Sequence, residues 1–516
     1  VDRIVVLDFG SQTTHLIARR IREAGVLAQI FPGESSPELW NDAGLRGIVL
    51  SGSPYSVHDE QAPEPDAAVF TLGLPVLGIC YGAQITAHLR GGTVSRSQTR
   101  EYGPALVELH SVHELFHAVQ PPFESWMSHG DAIAELPPDA TLIAETVRGV
   151  PAAYAIESLS FTGLQFHPEV THTVGGSTIL KNFALRVCGA AGEWSMEHYF
   201  DQIQSSIRER VGEKEVLLLI SGGVDSTVVA SVLLKTLPPE RVHLMYIDTG
   251  LMRSGESEEV ASFLRDLGAL HVHLIDASDD FLSGLRGFDD PEKKREIIGN
   301  MFVHIQEREI GRTVGTDYLL AQGTLYTDLI ESGHGVGSHA NRIKSHHNVA
   351  APAIVRKRDA GEVVEPLSGL YKDEVRALGR FLGLPETIVG RHPFPGPGLA
   401  VRILGEVTEE RCDILRKADA IYLDELRTNG LYDQIWQAFA VLLPIRSVGV
   451  AGDFRAYGNV IALRAVTSVD GMTADIFSFP DGVLRRIASR ITNEIPEAGR
   501  VVYDLSGKPP ATIEWE

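Results

Sequence analysis

Val216-Leu217-Leu218-Leu219-Ile220-Ser221-Gly222-Gly223-Val224-Asp225-Ser226-Thr227 runs from an unbroken apolar segment through two glycines into a helical pattern. A short apolar run closed by a glycine turn reads as a buried strand, and the residues beyond it as a helix packed against the sheet. A turn of this kind binds phosphate. Gly222 and Gly223 lack Cβ atoms, so the chain can bend tightly and offer consecutive N–H groups to a ligand. Ser221 and Ser226 add hydroxyls. The helix that starts near Val224 points its positive end, with unpaired N–H groups, into the same space. The loop contains no lysine, so it lacks the side chain with which G-x-x-x-x-G-K-[ST] grips the β and γ phosphates. Pyrophosphate is therefore the expected leaving group. The alternative is an ordinary glycine-rich turn.

Downstream, Val242–Asp248 and His271–Asp276 form two more apolar strands, each followed by a helix. Together with the first they imply a doubly wound parallel sheet that binds its ligand outside the strand C-termini, with Asp248-Thr249-Gly250 facing a nucleotide. The charge run Pro291–Gly299 reads as a solvated helix face. Upstream, residues 3–8, 26–30, 47–51 and 75–79 are short apolar runs alternating with helical patterns at Thr13–Ala24 and Ala67–Leu72, which implies a second parallel α/β sheet. The small-residue stretch Cys188–Gly192 suits a linker. From His392 the interleaved prolines 393, 395 and 397 and glycines 396 and 398 exclude helix and central strand, so a new unit begins there. Beyond it, Ser447–Val450, Val460–Ala465 and Arg500–Leu505 alternate with helices near 408–428 and 482–494. The expected fold class is α/β: two doubly wound parallel-sheet domains, 1–190 and 193–391, and a small C-terminal α/β domain, 392–516.

Pro75–Ile79 ends in Cys80-Tyr81-Gly82-Ala83-Gln84, which places a cysteine on a strand-to-helix elbow, exposed above the sheet beside a helix N-terminus that favours thiolate. Phe161–Glu169 then delivers His167 and, two residues later, Glu169. A nucleophile, a base and a group to orient the base are present. Taken alone, Cys80 also fits a buried core thiol. Cys188, in an apolar helix pattern, and Cys412, in a polar one, are not expected to react. His88, His110, His113, His117 and His172 have no ligand spacing.

The chain has 516 residues and a formal charge of −22, which disfavours a surface that tracks a nucleic-acid backbone. Three cysteines with no Cys-x-x-Cys pair provide neither a disulfide framework nor a zinc set, and point to a reducing cytoplasm. No apolar stretch approaches membrane-spanning length, and no export signal or membrane association is expected.

Ser-Gly-Gly-x-Asp-Ser at 221–226 resembles the pyrophosphate loop of N-type ATP pyrophosphatases, of the adenine nucleotide alpha hydrolase-like fold. Residues 1–190 resemble class I glutamine amidotransferases through Phe9–Gln12, Leu50-Ser51-Gly52-Ser53-Pro54, Gly78–Gly82 and Phe166–Glu169. That resemblance makes Cys80 the nucleophile, His167 the base and Glu169 its partner. It puts the oxyanion hole at the amides around Gly52 and Tyr81, and assigns Gln84 and Asp131, the latter in a Ser128–Asp131 turn, to holding the glutamine. Where the family has Ser-Gly-Gly-Pro this chain has Ser-Gly-Ser-Pro, with Ser53 retaining its N–H. Ala321–Tyr326, Ile343–Val349, His392–Ala400 and Ser506–Glu516 extend the similarity over the whole chain to the glutamine-hydrolysing GMP synthases.

The wider resemblance implies ATP bound by Ser221, Gly222, Gly223, Val224, Asp225 and Ser226, with Mg²⁺ near Asp225 and Glu374. It implies a lid carrying Lys344, His346 and His347, with Lys372 near the phosphates. The nucleotide XMP would contact Arg295, Gln437, Lys508, Ile513 and Glu514. A homodimer is expected through the C-terminal domain. For Lys372-Asp373-Glu374, a plain acidic helix N-terminus favoured by the dipole is the alternative.

Overall fold

The computed structural model describes residues 1–314, 317–326, 328, 356–358, 360–451, 454–468 and 473–516. They fall into two compact units, Val1–Tyr199 and Phe200–Tyr326 with the described part of Ser345–Glu516.

In the first unit β1 (Arg3–Asp8), α1 (Thr14–Glu23), β2 (Leu27–Pro32), β3 (Leu45–Leu50), β4 (Val76–Ile79) and α2 (Tyr81–Leu89) precede β5 (Thr93–Leu109) and β6 (Phe123–Glu135). β7 (Thr141–Thr146), β8 (Pro151–Ile156), β9 (Phe161–Leu164) and α3 (Gly176–Asn182) follow. All nine strands form one sheet, in the order β2-β1-β3-β4-β9-β8-β7-β5-β6. Strands β2 to β9 along this path are parallel, as expected from their apolar runs: Ile4, Val5, Val6 and Leu7 are buried on both faces.

The other half of the sheet is antiparallel, which the alternating strand–helix pattern did not announce. β7, β8 and β9 are neighbours joined by short turns, and a turn that short between paired strands can only reverse direction, because a parallel return needs a crossover of a dozen or more residues. Two local expectations also change. Ala67–Thr71 is a 3₁₀ turn, capped by Asp66, rather than an α-helix. Ser128–Asp131 is not a turn but part of the long strand β6, paired with β5.

The second unit begins within α4 (Met196–Val211) and continues through β10 (Glu215–Ile220), α5 (Val224–Thr236), β11 (Val242–Asp248), α6 (Glu256–Asp266) and β12 (His271–Asp276). Next come α7 (Ser278–Gly284), α8 (Pro291–Thr313), β13 (Tyr318–Ala321), β14 (Val363–Val364), α9 (Lys372–Phe381) and α10 (Glu386–Val389). These five strands are all parallel, in the order β12-β11-β10-β13-β14. The order reverses beside β10, so the crevice at its C-terminal end is the topological switch point, and Ser221–Ser226 opens there.

The C-terminal part adds α11 (Glu409–Thr428), β15 (Gln437–Ala451), β16 (Phe454–Thr467), β17 (Asp475–Ile476), α12 (Val483–Glu494) and β18 (Ala498–Tyr503). β15 and β17 run antiparallel to β16, and β18 runs parallel to it. One apolar cluster joins the two sheets of this unit: Leu217 and Met245 of the parallel sheet belong with Phe281, Ile298 and Ile305 of α7 and α8 and with Leu415, Tyr422, Ala440 and Ile487.

Cys412 is buried on the inner face of α11, where burial pushes its thiol up to about 11. Lys294, within the charge run expected to be solvated, is 0 % exposed. Its Nζ donates to Glu516 Oε2 at 2.6 Å and to the carbonyls of Ile403 and Ala400 at 2.7 and 3.2 Å, which satisfies all three ammonium protons. Among the described residues no helix is long and apolar enough to cross a membrane.

Candidate active site

In the first unit the chain turns sharply between β4 and α2. Cys80 sits at the turn with φ 51° and ψ −102°, a left-handed strain that side-chain-bearing residues rarely accept and that clusters at functional sites. Close packing around the elbow explains its glycines. A Cβ on Gly78 would come within 2.7 Å of Gly82, and one on Gly82 within 2.5 Å of the Leu50 carbonyl oxygen. The thiol is only 5 % exposed, not open above the sheet as expected, because β6 crosses it: Sγ lies 3.9 Å from the Ser128 carbonyl.

His167 and Glu169 arrive beyond the end of β9. His167 Nδ1 is 2.7 Å from Glu169 Oε1. A carboxylate only accepts, so Nδ1 carries the proton and Nε2 is the nitrogen left for the thiol. Burial, the largest single influence on His167, works against its cation. The charges of Glu169 and Cys80 and hydrogen bonds to both outweigh it, so the imidazole is held well above its ordinary range. Glu169 is buried and also accepts from Thr13 Oγ1 at 2.7 Å; its Oε2 has no partner among the described residues.

Gly52 lies directly against this pair, since a Cβ there would stand 3.2 Å from His167 Cε1. Tyr81 is the first residue of α2, so its N–H has no intrahelical acceptor, while its hydroxyl is anchored on the Pro63 carbonyl at 2.7 Å. Gln84 and Asp131 are brought together, but by contact with each other. The buried Gln84 amide donates to the Asp131 carbonyl at 2.7 Å and ties α2 to β6.

Sequence reading passed over two neighbours. Gln165 is buried with Nε2 4.0 Å from Cys80 Sγ, and its spacing of two from His167 in an extended segment was the available signal. Thr13 had none.

In the second unit the glycine loop is tightly knit. Ser226 Oγ accepts from Ser221 N at 3.2 Å, and Gly223 N donates to Ser221 Oγ at 3.3 Å. Thr227 Oγ1 donates to the Gly223 carbonyl at 2.8 Å. Gly222 has φ 77°, and the first N–H groups of α5, from Val224 to Ser226, face outward from the helix start. Lys372, at the start of α9, reaches the loop with Nζ 2.6 and 2.7 Å from the two oxygens of Asp225. A lysine therefore stands at this loop after all, supplied from a distant segment. Glu374 is engaged elsewhere: its Oε2 accepts from Tyr371 N at 2.9 Å and caps α9, which favours the helix-terminus reading over a ligand role. Gly323 packs on the loop, where a Cβ would approach Asp225 Cβ to 3.3 Å. Lys344, His346 and His347 lie outside the described residues.

The C-terminal residues gather around a buried guanidinium that sequence reading also missed. Arg402 is fully buried, bonds both oxygens of Glu514 at 2.8 and 3.1 Å and stacks over Phe439 at 4.2 Å. Gln437 Nε2 donates to Glu514 Oε1 at 2.7 Å, and Arg295 donates to the Glu516 carbonyl. Ile513 packs with Phe439, Val441 and Ala462. Lys508 precedes them at an isolated bridge, its backbone paired with Ala474 at 2.8 and 3.0 Å.

Two geometries thus share the chain: a buried Cys–His–Glu arrangement at an elbow, and a glycine loop at a switch point. The first defines a class, and residues 5–187 match the family Glutamine amidotransferase class-I. Residues 424–515 match the GMP synthase C terminal domain. The chain is 49% identical over 516 residues to the GMP synthase [glutamine-hydrolyzing] of Geobacillus kaustophilus, covering all of this chain and 99% of that one. With its counterpart from Thermomicrobium roseum the identity is 50%, over all of this chain and 97% of the relative, and with that of Symbiobacterium thermophilum 48%, over 100% and 99%. The chain belongs to the glutamine-hydrolysing GMP synthase family.

Proposed function

We propose that this enzyme converts XMP, ATP, glutamine and water to GMP, AMP, pyrophosphate and glutamate, with ammonia made at Cys80 and used at the Ser221–Ser226 site. The observation that carries the reading is the Cys80–His167–Glu169 geometry in the same chain as a phosphate loop without its own lysine.

At the first site the Cys80 sulfur attacks the glutamine side-chain carbonyl. The N–H of Tyr81 and the amide at Gly52 stabilise the oxyanion, a contribution of about 2.7–4 kcal/mol per donor. His167 Nε2 returns a proton to the departing ammonia, and water then cleaves the γ-glutamyl thioester with the same ring as base. Glu169 keeps the imidazole in the Nδ1–H tautomer. Gln84, Asp131 and Gln165 shape the pocket around the thiol.

At the second site the C2 oxygen of XMP attacks the α-phosphate of ATP and pyrophosphate leaves toward the loop N–H groups and Lys372. Ammonia then displaces AMP from C2 of the adenylyl-XMP. Mg²⁺ would neutralise phosphate charge when bound. The described residues hold no cluster of three or more His, Cys, Asp or Glu side chains placed to cage a metal. That suits an ion carried on ATP, which needs only one or two protein carboxylates, and Asp225 would serve. Lys344, His346 and His347 would close over the nucleotide, and Arg295, Gln437, Lys508, Ile513 and Glu514 would receive XMP. We also read the enzyme as a cytoplasmic homodimer of three domains, 1–190, 193–391 and 392–516. A mass-resolved product assay with ATP, glutamine and XMP, run beside other nucleotide acceptors, tests the assignment. GMP, AMP and pyrophosphate in equal amounts support it, and amination of another acceptor in preference to XMP overturns it.

A further inference from the structure

Arg391 follows α10 and touches the phosphate loop from outside. Its Nη1 donates to the Gly222 carbonyl at 3.3 Å. We propose that Arg391 is a positioning residue for the phosphate loop, fixing the Gly222–Gly223 peptide so that its N–H faces the phosphates of ATP. The proposal rests on reading Ser221–Ser226 as the ATP site.

A trans peptide is planar and directs its C=O and N–H to opposite sides. Holding the Gly222 oxygen outward therefore turns the Gly223 N–H inward, and it already points at Ser221 Oγ in the concavity. Two successive glycines give this peptide little stiffness of its own. The left-handed φ of Gly222 rules out a stiffer residue, and a Cβ there would press within 3.1 Å of Val260 Cγ2. Some outside contact must hold the plane, and a guanidinium does so with a second effect: a cation on the carbonyl polarises the peptide and makes the opposing N–H a stronger donor to an anion.

Arg391 is itself anchored. Nη2 pairs with Glu259 at 3.1 Å, Nη1 lies 3.6 Å from Glu256, and Nε donates to the Thr387 carbonyl at 3.3 Å. Glu256 and Glu259 both belong to the first turn of α6, so the loop is referenced to that helix. A planar fork spreads its donors across the separated positions of a carbonyl and two carboxylates, whereas a lysine offers its three donors from a single point.

The test is steady-state synthesis with ammonia in place of glutamine, comparing wild type, Arg391→Ala and Arg391→Lys. Arg391→Ala is expected to lower kcat/KM for ATP roughly ten- to hundredfold, the range for misplaced binding groups. KM for XMP should stay within about twofold of wild type, since Arg391 touches none of the XMP candidates. Arg391→Lys should fall between the two, because it restores charge but not the fork. Unchanged ATP kinetics in Arg391→Ala overturn the proposal. So does an equal loss toward ATP and XMP with a lowered melting temperature, which marks a packing role. A wild-type enzyme that forms no AMP from ATP, XMP and ammonia would instead sink the ATP-site reading beneath it.

Discussion

His392 opens the proline-glycine loop of the second unit and gives a quantitative test of how that loop is held. Its ring stacks flat on Tyr432 at 3.9 Å; Nε2 lies 2.9 Å from the Tyr432 carbonyl, and Nδ1 accepts from Ala438 N at 3.2 Å. The tautomer is therefore Nε2–H. A second proton would have to enter at Nδ1, where it would face another N–H. Burial is the main cause that pushes this imidazole down to about 4; the Tyr432 hydrogen bond opposes it, and Arg253, Arg427 and Arg376 add to the depression. Against an ordinary value of 6.5, that depression is worth about 3 kcal/mol. Because the folded value is the lower one, the unfolded chain binds the proton first as pH falls. The stability is present in full above 6.5 and is lost between 6.5 and about 4. The assay is a pH titration of ¹⁵N-histidine shifts, with urea unfolding of wild type and His392→Gln over the same range. The His392 resonance should keep its neutral pattern down to about pH 4, and the variant should lose the corresponding slope in stability. Titration near 6.5, or identical slopes, would refute the burial and tautomer reasoning.

Three further outcomes are expected. Glu169→Gln removes the charge that holds His167 up, and glutamine hydrolysis should drop on the order of 10²–10⁴-fold while synthesis from ammonia persists. Since the folded value of His167 is raised, the stability that Glu169 adds is full below the ordinary 6.5 and fades as pH rises through the folded value. Melting temperatures should therefore separate wild type from variant more at mildly acidic pH than at alkaline pH. Asp225→Asn should slow pyrophosphate release and shift the melting temperature little, because an exposed ion pair contributes about 0–1 kcal/mol; unchanged release would return the loop to an ordinary turn. Lys508→Ala should raise KM for XMP with ATP kinetics nearly unchanged, and size-exclusion chromatography beside the kinetics separates binding from subunit packing: a monomeric variant marks packing, and a dimer with normal XMP saturation ends the binding role.

Local pattern carried most of the fold. β1 and β11 fall where their apolar runs place them, because strands buried on both faces write their length directly into the chain, and β12 falls where expected as a half-exposed edge strand. The antiparallel half of the first sheet was not legible: β5 mixes Arg, Ser, Gln and Glu among few apolar residues, and its place depends on pairing with strands far along the chain. The elbow cysteine and the His167–Glu169 pair stood in short motifs, and the structure brings them into contact. What supports them did not show. Thr13 and Gln165 meet the site only through tertiary packing. Lys294 reads as surface charge in the sequence, yet the Glu516 side chain and two backbone carbonyls cover it. Lys372, which only the family resemblance singled out, and Arg391, which nothing did, lie well over a hundred residues from the phosphate loop and reach it through chain geometry that no local period records.

The central claim is that XMP is activated by adenylylation before amination, and the oxygen at C2 is its tracer. XMP carrying ¹⁸O at C2 is incubated with ATP and ammonia, and the products are separated and weighed by mass spectrometry. If the C2 oxygen attacks the α-phosphate and ammonia then displaces AMP, the heavy oxygen ends in AMP, with pyrophosphate unlabelled. Heavy oxygen in water, pyrophosphate or inorganic phosphate, with light AMP, would contradict the account.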